Sequence, residues 1–213
     1  MTRFATPLWR VLGSFVSWFG FAFCFTLLYL GSAVVMGLGG YCASGGPYVI
    51  ETECPDAVVA TVPLSIWGGL ISVAIGAVFA RGFGTPVVSW AWPVLFIGLG
   101  TAFLLASTQP GGITFLLIGI MFVVMGAVPL VLEVRASIPN LLGGTRNVAG
   151  DPFADNGNGR RSPLAAIGRR FSDDSAQPVA RSAGDWTLAL GISLVAIGLG
   201  VYLANLLYAG FGG

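Results

Sequence analysis

Five stretches of this sequence, from Val11 to Leu38, Val62 to Ala80, Val88 to Ser107, Ile113 to Leu132 and Trp186 to Leu207, contain no Asp, Glu, Lys or Arg. Each is long enough to cross a hydrocarbon layer of about 30 Å at a rise of about 1.5 Å per residue. Only 9% of the 213 residues are charged, whereas a soluble domain carries about 25%. Such a chain lacks the charge to cover a water-facing surface. The fold class expected is therefore all-α and membrane-embedded, with five transmembrane helices packed through small residues.

The charges outside these stretches set an orientation. All ten basic residues are arginines. Arg3 and Arg10 precede the first span, Arg81 separates the second from the third, and Arg135 follows the fourth. Arg146, Arg160, Arg161, Arg169, Arg170 and Arg181 lie between the fourth and fifth. Five spans put every arginine on one side, and the positive-inside rule makes that side cytoplasmic. The amino terminus is expected inside and the carboxyl terminus outside. Arginine without lysine, with abundant Gly and Ala, resembles the composition of small multi-span proteins of high-GC bacteria. The expected location is thus a bacterial cytoplasmic membrane. The first run is too long for the apolar core of a signal peptide and is followed by no clear Ala-x-Ala site, so it is read as a retained anchor.

Three regions follow. Residues 1–135 form a four-span region with an outer loop at 40–61. Residues 136–185 form a flexible arginine-rich cytoplasmic loop, with a short helix expected over 163–171. Residues 186–213 form the fifth helix and a short outer tail. Trp9 and Trp186 on the inner side, and Tyr41, Tyr48 and Tyr208 on the outer side, suit the membrane–water interface. Trp90 and Trp92 fall at the inner start of span three, where Pro93 is expected in a first turn that does not need its N–H.

Glycines recur at intervals of seven: Gly13 and Gly20, Gly69 and Gly76, Gly112, Gly119 and Gly126, and Gly191 and Gly198. Seven residues is close to two helical turns, so each set lines one face and is expected to pack against another helix. Span three offers Gly98 and Ala102 at a spacing of four.

The residues speak against several chemistries. Histidine is absent. This excludes bis-histidine haem ligation and a Ser-His-Asp triad, so no catalytic residue, cofactor or metal is assigned. Cys42 and Cys54 share the outer loop, where an oxidising environment lets a disulfide persist, and a turn at Gly45-Gly46-Pro47 allows the chain to return. No Cys-x-x-Cys occurs to support thiol exchange, and Cys24 is read as an apolar filler. Glu51, Glu53 and Asp56 match no calcium-loop pattern and read as a solvated acidic loop. Arg160, Arg161, Arg169 and Arg170 are candidates for contact with anionic lipid head groups. No nucleic-acid-binding module is present.

The spans carry no ionisable residue for proton coupling. The function expected is an accessory or structural subunit of a bacterial membrane complex, bound to a membrane-protein partner or to its own copies. The alternative is a small transporter or permease component acting as an oligomer.

Overall fold

The computed structural model describes residues 8–46, 49–80, 85–108, 112–136, 138–143 and 183–211. The expected helix over 163–171 and the four loop arginines Arg160, Arg161, Arg169 and Arg170 lie outside these residues, as do Tyr48 and the side chain of Trp9.

Six helices are described: α1 (Leu8–Gly37), α2 (Asp56–Phe79), α3 (Val87–Ala106), α4 (Gly112–Ala136), α5 (Ile138–Gly143) and α6 (Ala183–Gly210). Five are long and apolar enough to cross a membrane, namely all but α5. A helix answers the demand of lipid because it satisfies its own backbone hydrogen bonds. The protein is a multi-pass membrane protein. The basal end is here the end where α1 begins, and the apical end carries the loop between α1 and α2.

α1 is the hub, packed against α2, α6 and α3, whereas α4 packs chiefly on α3. The α1–α2 seam is antiparallel. A Cβ on Gly13 would meet Phe79 Cβ at 2.6 Å, and one on Gly68 would meet Cys24 Sγ at 2.6 Å. Between these rungs, Gly20 faces Ser72 and Gly76 faces Ser17. Along α1 the rung residues Gly13, Ser17, Gly20 and Cys24 are separated by four, three and four, and Gly31, against Val62 of α2, continues the row. That alternation is the seam of a left-handed helix pair.

α3 and α4 approach more closely. Cβ atoms on Gly100, Gly119 and Gly126 would lie 2.9–3.0 Å from backbone atoms of the facing helix: Gly119 O and Val123 N, Leu104 N, and Pro93 O and Ile97 N. Aromatic rings fill the space beside these contacts. Trp92, Phe96, Phe122, Phe103 and Phe115 form a chain with successive centroids 4.4, 5.5, 5.4 and 6.3 Å apart.

Several expectations are corrected here. α2 begins at Asp56 rather than Val62, so the outer loop ends at Pro55 and Pro63 stands inside the helix. The reason is local: Pro55, extended at φ −56° and ψ 143°, receives the N–H groups of Val58 and Val59 on its carbonyl. Pro93 is buried in the second turn of α3, not in its first. Tyr208 is no interfacial anchor, because it is buried with Leu27, Ala57 and Ala204 between α1, α2 and α6. Residues 138–143, assigned above to flexible loop, form α5, and α6 starts at Ala183 within the same expected loop.

The glycine row on α6 also differs from the expected packing. Gly191 and Gly198 have open space where a Cβ would be, whereas a Cβ on Gly200 would lie 2.6 Å from Phe19 O and 3.0 Å from Phe23 N of α1. Ala189, Ser193, Ala196, Gly200, Ala204 and Tyr208 are the buried residues of α6. They repeat every three or four positions and make the face on α1, and a two-residue offset turns Gly191 and Gly198 about 200° from Ala189 and Ala196. A Cβ on Gly112 would come nearest Ser107, just past the end of α3, and one on Gly69 would lie 3.8 Å from Cys24 Cβ, an ordinary contact.

Candidate functional site

Two polar assemblies stand out against the apolar spans, one at each end. The apical one begins where α1 stops. Gly40 N–H donates to Val35 O and Gly39 N–H to Met36 O, with Gly39 at φ +95°. This pair of bonds closes the helix and requires a left-handed residue that glycine adopts without strain. A Cβ on Gly40 would lie 3.0 Å from the ring of Phe115, near the start of α4. Gly45 and Gly46, at φ +73° and +106°, turn the chain.

The chain returns beside itself rather than as a hairpin. Ala43 N–H donates to Thr52 O and Cys54 N–H donates to Ala43 O, both at 3.0 Å, in an isolated parallel bridge. Cys42 and Cys54 are joined as a disulfide with Cα atoms 5.0 Å apart. Two residues later α2 begins, so the disulfide ties the end of α1 to the start of α2. Glu51, Glu53 and Asp56 are exposed. Among the described residues no group of three His, Cys, Asp or Glu side chains is placed to hold a metal ion.

The α1–α2 seam carries the buried hydroxyls Ser17, Thr61, Ser65 and Ser72. Ser17 crosses it, donating to Ser72 O at 2.8 Å, while Thr61, Ser65 and Ser72 donate to carbonyls of their own helix. Cys24 is buried with a free thiol. These bonds satisfy polar groups that lipid cannot.

The basal assembly arises because α3 starts short. Val87, its first residue, clusters with Trp18, Phe21 and Ala196. Trp18 lies ten residues into α1, about 15 Å from its start. α5 packs near α4 and α6 and is bonded to α3 and its lead-in. Trp18 Nε1 donates to Thr85 O at 2.8 Å, Thr85 Oγ1 to Leu142 O at 2.8 Å, and Trp90 Nε1 to Leu141 O at 3.1 Å. Leu141 and Leu142 are in the last turn of α5, where carbonyls have no partner within the helix. Side chains of α3 and its lead-in supply the missing donors. Leu141 is itself buried, a gain of roughly 1.5–3 kcal/mol, and each hydrogen bond adds about 1 kcal/mol. Ser14 Oγ, also buried, has no hydrogen-bond partner.

One further indole bond answers a proline. Pro129 has no N–H for Met125 O, four residues back in α4, and Trp92 Nε1 donates to that carbonyl at 3.2 Å. Sequence reasoning placed Trp90 and Trp92 at the interface and missed both bonds. The signal for α5 was present, with Pro139 just inside its start and Gly143 at its end.

Compared with protein-family models, with curated proteins and with solved structures, the chain matches none.

Proposed function

We propose that this chain is an accessory or structural subunit of a bacterial cytoplasmic-membrane complex, with no catalysis of its own. One observation carries the reading. Gly20, Gly76, Gly119 and Gly126 each face another helix of the same chain, but Gly191 and Gly198 on α6 face open space. In lipid, a row of glycines is useful where a second backbone comes close, and bulkier residues serve a face that meets only acyl chains. The outward row of α4 is of that second kind, with Ile113, Leu117, Ile120, Val124, Val128 and Val131 all exposed. The partner therefore docks on α6 rather than on α4.

In this reading the amino terminus and the loop after α5 face the cytoplasm, and the disulfide loop and carboxyl terminus face outside. Arg160, Arg161, Arg169 and Arg170 then meet anionic head groups of the inner leaflet. The test is affinity capture from native membranes in several mild detergents, with wild type, Gly191→Leu and Gly198→Leu side by side. A stable partner is expected with wild type and lost with either variant. A clean monomer in every detergent overturns the reading, and substrate uptake by the protein alone in proteoliposomes would replace it with a transporter. Topology is checked by labelling. A cysteine at Asn156 should react only from the cytoplasm and one at Gly46 only from outside.

A further inference from the structure

We infer that what docks on α6 is the α6 of a second copy of this chain, paired in parallel about a two-fold axis along the membrane normal, with Asn205 against Asn205. This rests on the reading of α6 as the docking face and names its occupant. The observation that carries it is the pair of polar side chains set in the glycine row, not the row itself. Asn205 stands seven residues after Gly198 and continues the row of Gly191 and Gly198, and it is exposed. Tyr202, four residues beyond Gly198 and three before Asn205, is 61% exposed on the same face.

Depth makes these two groups costly. The span runs from Trp186 to Gly210, 25 residues. At 1.5 Å per residue it reaches about 36 Å, against a hydrocarbon layer of about 30 Å. Centred in that layer, Asn205 lies about 4 Å below the outer boundary and Tyr202 about 9 Å below it. Side chains on a helix lean toward its amino-terminal end, which here is the membrane interior, so neither reaches up to water. Asn205 shows the lean directly, since its Nδ2 donates to Val201 O at 2.8 Å, one turn back. That bond uses one N–H. The second N–H and Oδ1 have no partner among the described residues, and neither has the Tyr202 hydroxyl. Acyl chains cannot supply one.

A second copy supplies it with the same residue. Every copy enters the membrane the same way up, so a two-fold axis along the normal brings Asn205 to Asn205 at equal depth. A carboxamide both donates and accepts, and the pair closes two equivalent bonds. An isologous interface requires just that self-complementarity. One Asn in a seven-residue row fixes the register of parallel two-stranded coils in the same way. Gly191 and Gly198, with open space where a Cβ would be, let the two backbones come close on the basal side of the pair.

Crosslinking in native membranes tests it. Leu194, exposed between Gly191 and Gly198, is changed to Cys in a Cys24→Ala background that keeps Cys42–Cys54. Leu117→Cys, on the outward row of α4, is the control. Mild oxidation should join Leu194→Cys chains into a species of twice the chain mass and leave Leu117→Cys chains single. Energy transfer between chains labelled at their termini, in lipid vesicles, then reads the affinity. Asn205→Leu should weaken self-association roughly tenfold through loss of the two bonds, and Asn205→Gln should retain most of it. Both variants should melt like wild type, because the site is exposed. The second copy is overturned if Leu194→Cys crosslinks no better than Leu117→Cys, or if Asn205→Leu associates like wild type. Capture of a different protein that is lost with Gly198→Leu, without self-crosslinking, overturns the second copy but keeps α6 as the docking face. No partner of either kind ends both readings.

Discussion

The two antiparallel seams of this molecule, α1–α2 and α3–α4, both rely on glycine but place different things opposite it. In α1–α2 the glycines in the middle of the seam face small side chains, Gly20 against Ser72, Gly76 against Ser17 and Gly68 against Cys24. In α3–α4 they face backbone: Leu104 N for Gly119, and Pro93 O and Ile97 N for Gly126. The first seam is bridged by a hydroxyl bond and stapled at its apical end by Cys42–Cys54. The second has rings beside the glycines and an indole bond to the carbonyl freed by Pro129. A small side chain opposite a glycine can rotate away from an added methyl, whereas a backbone cannot. The α3–α4 contact should thus be the less forgiving one, while the α1–α2 contact leans on its covalent staple.

The largest effect is expected from the staple. Cys42→Ser with Cys54→Ser should lower unfolding free energy by about 2–4 kcal/mol, the range for closing a loop of this size. Thermal melting in detergent, with and without reductant, measures it. An unchanged melt would mean that the seam holds α1 and α2 without help.

Next come the glycines. Gly126→Ala and Gly119→Ala should each cost about 1–3 kcal/mol, because the facing backbone must retreat. Gly76→Ala should cost about 1 kcal/mol or less, mainly the loss of the Ser17 bond as that hydroxyl turns aside. Equal losses in the two seams would erase the distinction drawn between them. Leu117→Phe, on the exposed face of α4, serves as the neutral control.

A smaller change isolates the indole bond. Trp92→Phe keeps a ring beside Phe96 but leaves Met125 O without a donor, for a loss of about 0.6–1 kcal/mol. Combining it with Pro129→Ala, which restores the N–H, should remove most of that loss. Independent, additive effects in this double-mutant cycle would show that the indole does not serve the proline's orphaned carbonyl. The smallest effect is expected at Gly191→Leu, within about 0.5 kcal/mol for the isolated chain, as for a surface site. A large loss there would place that glycine inside the fold of a single chain.

Much of the architecture could be read directly from residue order. Uncharged runs of some twenty residues have one stable solution in lipid, so five spans follow from composition and length alone. The disulfide followed too, because two cysteines in one short polar loop with a glycine turn have a single intramolecular pairing. What lay beyond the sequence was the direction each face points. Spacing by seven tells that Gly191 and Gly198 share a row, and says nothing of whether that row meets α1. The tertiary structure gives the contact to Gly200 and the alanines flanking it, because a helix has only one face to offer its neighbour.

The same reason separates Tyr208 from an interfacial anchor. Its place near a span end is a matter of order, but its burial with Leu27 and Ala57 depends on how far α1, α2 and α6 overlap. Helix ends were open for a related reason. Whether a proline stands in a first turn or a second is decided by where the preceding segment finds partners, as Pro55 does for α2. α5 is the clearest case. Pro139 and Gly143 mark its ends in the sequence, but six residues do not hold a helix alone, and the burial of Leu141 comes from elements distant in order. Sequence determined that this chain lives in a membrane and how often it crosses. The offsets between helix ends, set by packing among residues far apart in order, decided which polar groups are buried and what covers them.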